Sequence, residues 1–281
     1  MCGFAGSWSN SPITGDTAEL VRSCIQNIQH RGPDALGVFI DEHLALSHAR
    51  LAIVDLDARS NQPMSDASKR YVLAFNGEIY NYSELRSSLI ESGVSFSTGS
   101  DTEVLLQLLI KFDREAIPML NGCFAFVFYD ALENRILAAR DQMGINPLWF
   151  SSANGNLIFA SELKGLPIQA QPEIDMDVVA NFLKFGYCPD ERAIYKGVFK
   201  LKPGHLIDSK NKCAQEAWFN LVATFEYPTT GDLRLALENA VKSRLVADVP
   251  VGCFLSGGVD SSIIAALASK AHPGIHTFSI G

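Results

Sequence analysis

Phe124-Ala125-Phe126-Val127-Phe128-Tyr129 is an unbroken apolar run rich in aromatic residues, and it reads as a β-strand. It has company. Val38-Phe39-Ile40, His43 to Ser47, Tyr71 to Phe75, Arg135 to Ala139, Leu148-Trp149-Phe150 and Asn156 to Ala160 are short runs of the same kind, separated by turns. Two helices interrupt them. One spans about Thr17 to Gln29, with Leu20, Cys24, Ile25 and Ile28 on one face; the other spans about Asp101 to Phe112, with Val104, Leu105, Leu108 and Leu109 on one face. Many strands and few long helices predict stacked sheets packed against helices, a layered α+β domain.

Past a soft stretch at Leu166 to Pro172, Asp177 to Phe185 reads as a helix and Lys200 to Leu206 as a strand and turn. Around Tyr227-Pro228-Thr229-Thr230-Gly231 the pattern changes kind. From Asp232, apolar residues recur at helical spacing through Leu245. A strand (Val249 to Leu255), a glycine turn, a helix (Ser261 to Ser269) and a strand (His276 to Ile280) follow. That order is the parallel βαβ opening of a doubly wound sheet.

Composition narrows the function classes. The 281 residues carry 23 Lys+Arg against 31 Asp+Glu, a net charge of −8, with no basic cluster, which argues against nucleic acid. No apolar run approaches the roughly 20 residues of a membrane span. Six cysteines without a C-x-x-C pair suggest neither zinc nor a disulfide framework, so a reducing cytoplasm is expected. Most read as small core residues. Cys2 does not.

Loss of Met1 would leave cysteine first, with an α-amine on the same residue as the thiol. The amine can take the thiol proton directly or through water, activating the sulfur without a histidine. Three other segments carry complementary chemistry. Arg50 sits in a strand-like stretch, Leu46 to Asp55, where a guanidinium can clamp a carboxylate. Asn76-Gly77 follows a strand, and an Asn amide plus a Gly N–H makes an oxyanion hole. Ser100 with Glu103 fits a capping box around Asp101, which can hold an ammonium. Taken singly, these features read as a frayed end, an edge-strand arginine, a hairpin turn and a helix-dipole carboxylate.

Met1-Cys2-Gly3-Phe4-Ala5-Gly6, His30-Arg31-Gly32-Pro33-Asp34, the Arg50 segment, Asn76-Gly77-Glu78 and Ser100-Asp101-Thr102-Glu103 occur in one order. Together they resemble the glutaminase domain of class II glutamine amidotransferases, specifically of glutamine-hydrolysing asparagine synthetases. Ala138 to Asp141, Pro147-Leu148, Phe159 to Lys164 and Leu201 to His205 continue the likeness. The resemblance implies an N-terminal-nucleophile hydrolase fold, an αββα four-layer sandwich over residues 2–210. It implies that Cys2 attacks glutamine, that Arg50 binds its α-carboxylate, that Glu78 and Asp101 hold its α-amine, and that Asn76 and Gly77 stabilise the oxyanion. One departure concerns subfamily identity: many relatives are expected to carry a basic residue near Gln142 or Asn146.

Ser256-Gly257-Gly258-Val259-Asp260-Ser261-Ser262 follows the Val249 to Leu255 strand and lacks the Gly-Lys-Ser/Thr of a Walker loop. Strand, glycine turn and helix can turn backbone N–H groups onto a phosphate. The stretch resembles the loop of ATP pyrophosphatases. The resemblance implies ATP and Mg2+, with Ser256, Gly257, Gly258, Asp260, Ser261 and Ser262 at the pyrophosphate and Leu255 and Ile280 against the adenosine. The acceptor would be a carboxylate, aspartate first. Amidotransferases making phosphoribosylamine or glucosamine phosphate should lack this loop. Residues 228–281 are too few to complete a doubly wound sheet, so the chain is expected to be the front part of a longer protein. A glutaminase-only fragment or regulatory module, an asparagine-synthetase-like enzyme with another carboxylate acceptor, and a homodimer all stay open.

Overall fold

The computed structural model describes residues 1–153, 155–168, 171–220 and 231–280. The sequence's pattern change at Tyr227 to Thr230, its boundary at Pro228 and two residues of the soft stretch before Pro172 lie outside the described residues. The chain divides into two units, Met1–Ala52 with Asp57–Asn220, and Ile53–Leu56 with Leu221–Gly281.

The first unit stacks two six-stranded sheets. β1 (Gly3–Ser9), β2 (Ala35–Ile40), β3 (Leu44–Arg50), β8 (Trp149–Ala153), β9 (Asn156–Ala160) and β10 (Phe199–Lys200) form one, in the order β10-β8-β9-β1-β3-β2. The other holds β4 (Met64–Ser65), β5 (Tyr71–Ile79), β6 (Gly122–Asp130), β7 (Arg135–Arg140), β11 (His205–Asp208) and β12 (Gln215–Ala217), in the order β12-β11-β7-β6-β5-β4. Helix α1 (Gly15–Asn27) covers the first sheet: its Cys24 and Ile25 pack with Ala5, Ala49 and Ala160. Helices α2 (Tyr82–Glu91) and α3 (Asp101–Phe112) cover the second through Leu89, Val104, Leu105, Leu108 and Leu109.

The 124–129 run explains itself in this setting. Side chains alternate across a strand, so Ala125, Val127 and Tyr129 face the first sheet while Phe124, Phe126 and Phe128 join the layer under the helices. Both faces are buried, which removes the polar half of the usual strand pattern. The result is the αββα sandwich.

Five readings need correction. Asn76-Gly77 is no turn: β5 continues through both to Ile79, pairing Asn76 with Ala125 and Gly77 with Phe124. The first half holds a third helix, α2, whose serine-rich sequence carries little apolar signal. Of the six cysteines only Cys24 and Cys213 are buried. Ser100 does cap α3, accepting from Glu103 N at 3.2 Å, but the Glu103 carboxylate reaches Ser97 N and Thr98 N instead of closing the box on Ser100. The last predicted strand stops at Phe278, and Ile280 is 96% exposed.

Within the second sheet, Arg135 on β7 forks onto Asp208 on β11, Nε–Oδ1 3.0 Å and Nη2–Oδ2 2.6 Å, both residues buried. Removing one partner strands a buried charge. Arg135→Met is therefore expected to cost about 3–5 kcal/mol, and adding Asp208→Leu to recover most of it, read from denaturant midpoints. A single variant within about 1 kcal/mol of wild type would show the pair to be solvated in practice.

Helix α4 (Met176–Phe185) completes the first unit's helices, and the second unit holds α5 (Leu233–Ser243), β13 (Gly252–Phe254), α6 (Val259–Ala271) and β14 (His276–Phe278). β13 and β14 pair in parallel across α6, so the βαβ reading stands, with β13 shorter than Val249 to Leu255. No described helix is long and apolar enough to cross a membrane.

Candidate active site

Cys2 precedes β1 and lies half-buried against the end of β3. Its Sγ accepts from Leu51 N at 3.3 Å, and its carbonyl accepts from Arg31 Nε at 2.8 Å. Arg31 in turn pairs with Glu162 Oε1 at 2.9 Å, and the same oxygen lies 3.1 Å from His30 Nε2. The Cys2 main chain is thus held by a guanidinium that is itself anchored. Burial pushes the Cys2 thiol up, against the pull of the Leu51 N–H and the neighbouring amine. Burial also pushes the Met1 amine down, though the thiol opposes this.

Arg50 ends β3, an internal strand between β1 and β2, and is 5% exposed. It is no edge-strand surface residue. Its Nη1 donates to Asp57 O at 3.0 Å and to Asn61 Oδ1 at 2.9 Å, which fixes the guanidinium. Arg50 and Asp101 both act electrostatically on the Cys2 thiol, with opposite signs.

β5 supplies the next groups by its alternation. Phe75 N donates to Gln62 Oε1 at 2.7 Å and Phe75 O lies 3.1 Å from His48 Nε2, so odd-numbered residues here turn their backbone away from β6. Ile79 N, on the same edge, donates to Asp101 Oδ2 at 3.1 Å. Gly77 lies between them and aims its N–H along that edge. Only glycine fits there, because a Cβ would sit 2.1 Å from Cys123 O. Asn76 is fully buried, and its Nδ2 donates to Asn146 Oδ1 at 3.3 Å. His48 is fully buried too; burial holds its imidazole down at about 4, hence neutral.

Glu78 and Asp101 converge electrostatically. Burial pushes the Asp101 carboxyl up to about 7, the Ile79 N–H opposing and Glu78 adding to it. Two carboxylates that raise each other's proton affinity favour a cation nearby. The site therefore offers a thiol, a fixed guanidinium, an amide donor, an unhindered backbone N–H and a carboxylate pair. The motif residues Arg31 and Glu162, the buried His48 and Gln62, and Asn146 were not expected to touch the site. Nothing in their spacing could have announced it, since each acts through a contact between distant segments.

In the second unit Gly257 has φ +82°, a conformation that side chains avoid, and Gly258 caps α6 without a side chain. Ser261 Oγ donates to Gly258 O at 3.1 Å and lies 3.0 Å from Ser256 Oγ, while Ser262 Oγ reaches Gly258 O at 2.8 Å. Leu255 N donates to Phe278 O at 2.8 Å, which ties the loop's root to β14. Asp260 stands in the first turn of α6.

Comparison with known proteins agrees with this geometry. Residues 1–219 match the glutamine amidotransferase domain model, and residues 232–281 match the asparagine synthase model. The chain is 39% identical over its whole length to asparagine synthetase [glutamine-hydrolyzing] 1 of Bacillus subtilis (strain 168), covering 46% of that protein. It is 34% identical to asparagine synthetase B [glutamine-hydrolyzing] of Escherichia coli (strain K12), again over its whole length and covering 50% of that protein. It spans about half the length of these curated relatives. Its fold is similar to that of glutamine phosphoribosylpyrophosphate amidotransferase from B. subtilis solved with ADP and GMP. The TM-score is 0.57 at 20% identity, over 99% of this chain and 65% of the other. That fold is the N-terminal-nucleophile sandwich. The chain belongs to the glutamine amidotransferase family.

Proposed function

We propose that the first unit hydrolyses glutamine and that the whole protein uses the ammonia to amidate an adenylated carboxylate, aspartate first. The observation that carries the reading is the grouping of the Cys2 thiol with the Arg50 guanidinium and the Asp101–Glu78 pair. An amino acid needs all three: a cation for its carboxylate, an anion for its ammonium, and a nucleophile near its side chain.

With Met1 removed, the Cys2 α-amine takes the thiol proton and Sγ attacks the side-chain carboxamide carbon. The carbonyl π-pair moves onto oxygen, where Asn76 Nδ2 and Gly77 N–H stabilise it. Collapse expels ammonia, the α-amine returning its proton to the leaving nitrogen. Water then adds to the thioester, the amine taking its proton, and glutamate leaves as the thiol re-forms. Arg31, through Cys2 O, keeps the amine and thiol in register. We place this chemistry in a reducing cytoplasm, where the thiol survives.

In the second unit, Ser256, Gly257, Gly258, Asp260, Ser261 and Ser262 would take the ATP pyrophosphate, with Leu255 and Ile280 toward the adenosine. The support is the uncapped start of α6 and the cluster of loop hydroxyls. Mg2+ would arrive on the ATP phosphates, with Asp260 the loop's acidic group. The match to asparagine synthase over residues 232–281 favours a carboxylate acceptor over phosphoribosyl or sugar acceptors.

The chain incubated with glutamine and ATP, with glutamate, AMP and pyrophosphate assayed separately, tests the proposal. Glutamate is expected from protein whose first residue is Cys2, and none from protein that retains Met1. AMP is expected only from a protein continuing through the rest of the second domain. Absence of glutamate from a verified Cys2 N-terminus would overturn the glutaminase reading.

A further inference from the structure

Asn146 lies in the loop after β7 and is 1% exposed. Its main chain is locked on both sides: its N–H donates to Asp141 Oδ2 at 3.2 Å, and its carbonyl accepts from Arg140 Nε at 2.7 Å. Asp141 Oδ1 also gathers Met143 N and Ile145 N at 3.0 Å each, and Arg140 Nη1 donates to Leu201 O at 2.6 Å. A buried arginine and a buried aspartate thus hold one short loop. What the loop delivers is the Asn146 carboxamide, 3.3 Å from Asn76 Nδ2.

That delivery matters because a carboxamide is nearly symmetric in shape and opposite in chemistry across its two ends. With Nδ2 toward Asn146, Asn76 spends one N–H on Asn146 Oδ1 and has a second for a developing oxyanion. Turned over, it would present a lone pair to that negative charge. Asn76 Oδ1 is buried and without a hydrogen-bond partner among the described residues, so it does not set the orientation. The contact with Asn146 Oδ1 is the one side-chain bond the Asn76 carboxamide makes among the described residues. Asn146 Nδ2 is likewise buried and unpartnered, so among the described residues the contact with Asn76 is the one side-chain bond this loop residue makes.

We propose that Asn146 is a positioning residue that holds the Asn76 carboxamide with its N–H toward the reacting carbonyl. The inference rests on the reading of Asn76 as an oxyanion donor and goes beyond it by naming what orients the donor.

Steady-state glutamine hydrolysis by the full chain tests it, with thermal melts as a folding control. Because the loop is held by main-chain bonds to Arg140 and Asp141, Asn146→Leu is expected to fold. It should lower kcat about tenfold and leave KM within about twofold, the pattern of a lost transition-state interaction. Asn146→Asp keeps the acceptor and should stay within about threefold of wild-type kcat. In an Asn76→Ala background Asn146→Leu should add nothing, because its target is gone. Asn146→Ser, which withdraws the acceptor without adding apolar bulk, carries the same expectation should the leucine chain not fold. A leucine variant at full kcat, an aspartate variant as slow as leucine, a loss confined to KM, or equal losses in both backgrounds would overturn the inference. Asn76→Ala at full rate would instead remove the underlying reading of Asn76, and this inference with it.

Discussion

Cys2→Ala is expected to abolish glutamine hydrolysis, with kcat falling by more than about 10⁴-fold, because no second nucleophile can take the sulfur's place. The fold should hardly notice. Cys2 is half-buried and, among the described residues, its thiol hydrogen-bonds only with the backbone at Leu51, so the truncation is expected to cost about 1 kcal/mol or less. Glutamine should still bind, since Arg50 is fixed by Asp57 O and Asn61, and Asp101 by Ile79 N, none of which involves the sulfur. Cys2→Ser sharpens the test: it keeps a group able to accept from Leu51 N but is a far weaker nucleophile. Calorimetric titration with glutamine, beside a glutamate assay, separates binding from chemistry. Under the proposed function, a full-length Cys2→Ala protein should keep any ammonia-dependent synthesis. Hydrolysis by the alanine variant at the wild-type rate would remove Cys2 from the mechanism.

Asp101→Asn is expected to lower kcat/KM for glutamine by on the order of 10²-fold or more, since a buried carboxylate matched to a substrate ammonium carries about 2–5 kcal/mol. The pH profile gives the sign. In the ligand-free protein Asp101 holds its proton up to about 7, chiefly through burial, with Glu78 adding to it. Only the ionised form attracts the ammonium, so wild-type kcat/KM should fall as pH drops through about 7, a limb the Asn variant lacks. Stability runs the other way. A carboxyl whose folded-state value is raised favours folding at low pH, and this contribution is lost as pH rises from its ordinary 3.8 to about 7. Without glutamine, the Asn variant should therefore outmelt wild type at pH 8 and match it near pH 4. Equal melting points at pH 8, together with an unchanged kcat/KM, would mean that Asp101 is neither strained nor used.

The cost and the use of Asp101 have one source. Burial beside Glu78 makes its charge unfavourable in the empty site and valuable when a cation arrives. Its place in the sequence explains the rest: the first turn of α3 supplies backbone N–H groups, and the Ser100 cap holds that turn in shape.

Local pattern carried a good part of this protein. Helix α3 runs over Asp101–Phe112, as its apolar spacing indicates, because Leu105, Leu108 and Leu109 must share one buried face. The 71–75, 124–129 and 135–139 runs became neighbouring strands of one sheet for a similar reason, alternation between two buried faces. β1 and α2 were not legible. β1 is Gly-Phe-Ala-Gly-Ser-Trp-Ser, poor in β-branched residues, and it is a strand because β3 and β9 close on it from both sides. Gly6 serves that approach, since a Cβ there would sit 2.3 Å from the Phe159 ring. α2 buries only Leu89 fully, too little for a periodic signal.

Sequence alone determined the chemistry on offer: a cysteine at position 2, an arginine, an Asn-Gly and a capped aspartate in fixed order, then a serine-glycine loop between a strand and a helix. It determined the layered class as well, because alternation and helical spacing are local properties of the chain. Tertiary structure decided how those groups could work. Asn-Gly favours a turn locally, yet pairing with β6 keeps it in a strand and turns the Gly77 N–H to the open edge. Arg50, which the sequence alone could have left on an edge strand, is buried because β1 and β2 flank its strand. The Asn76 carboxamide meets its partner, Asn146, seventy positions away. Propensity acts over a few residues, whereas burial, sheet edges and the facing of two amides depend on segments that meet only when the sandwich closes.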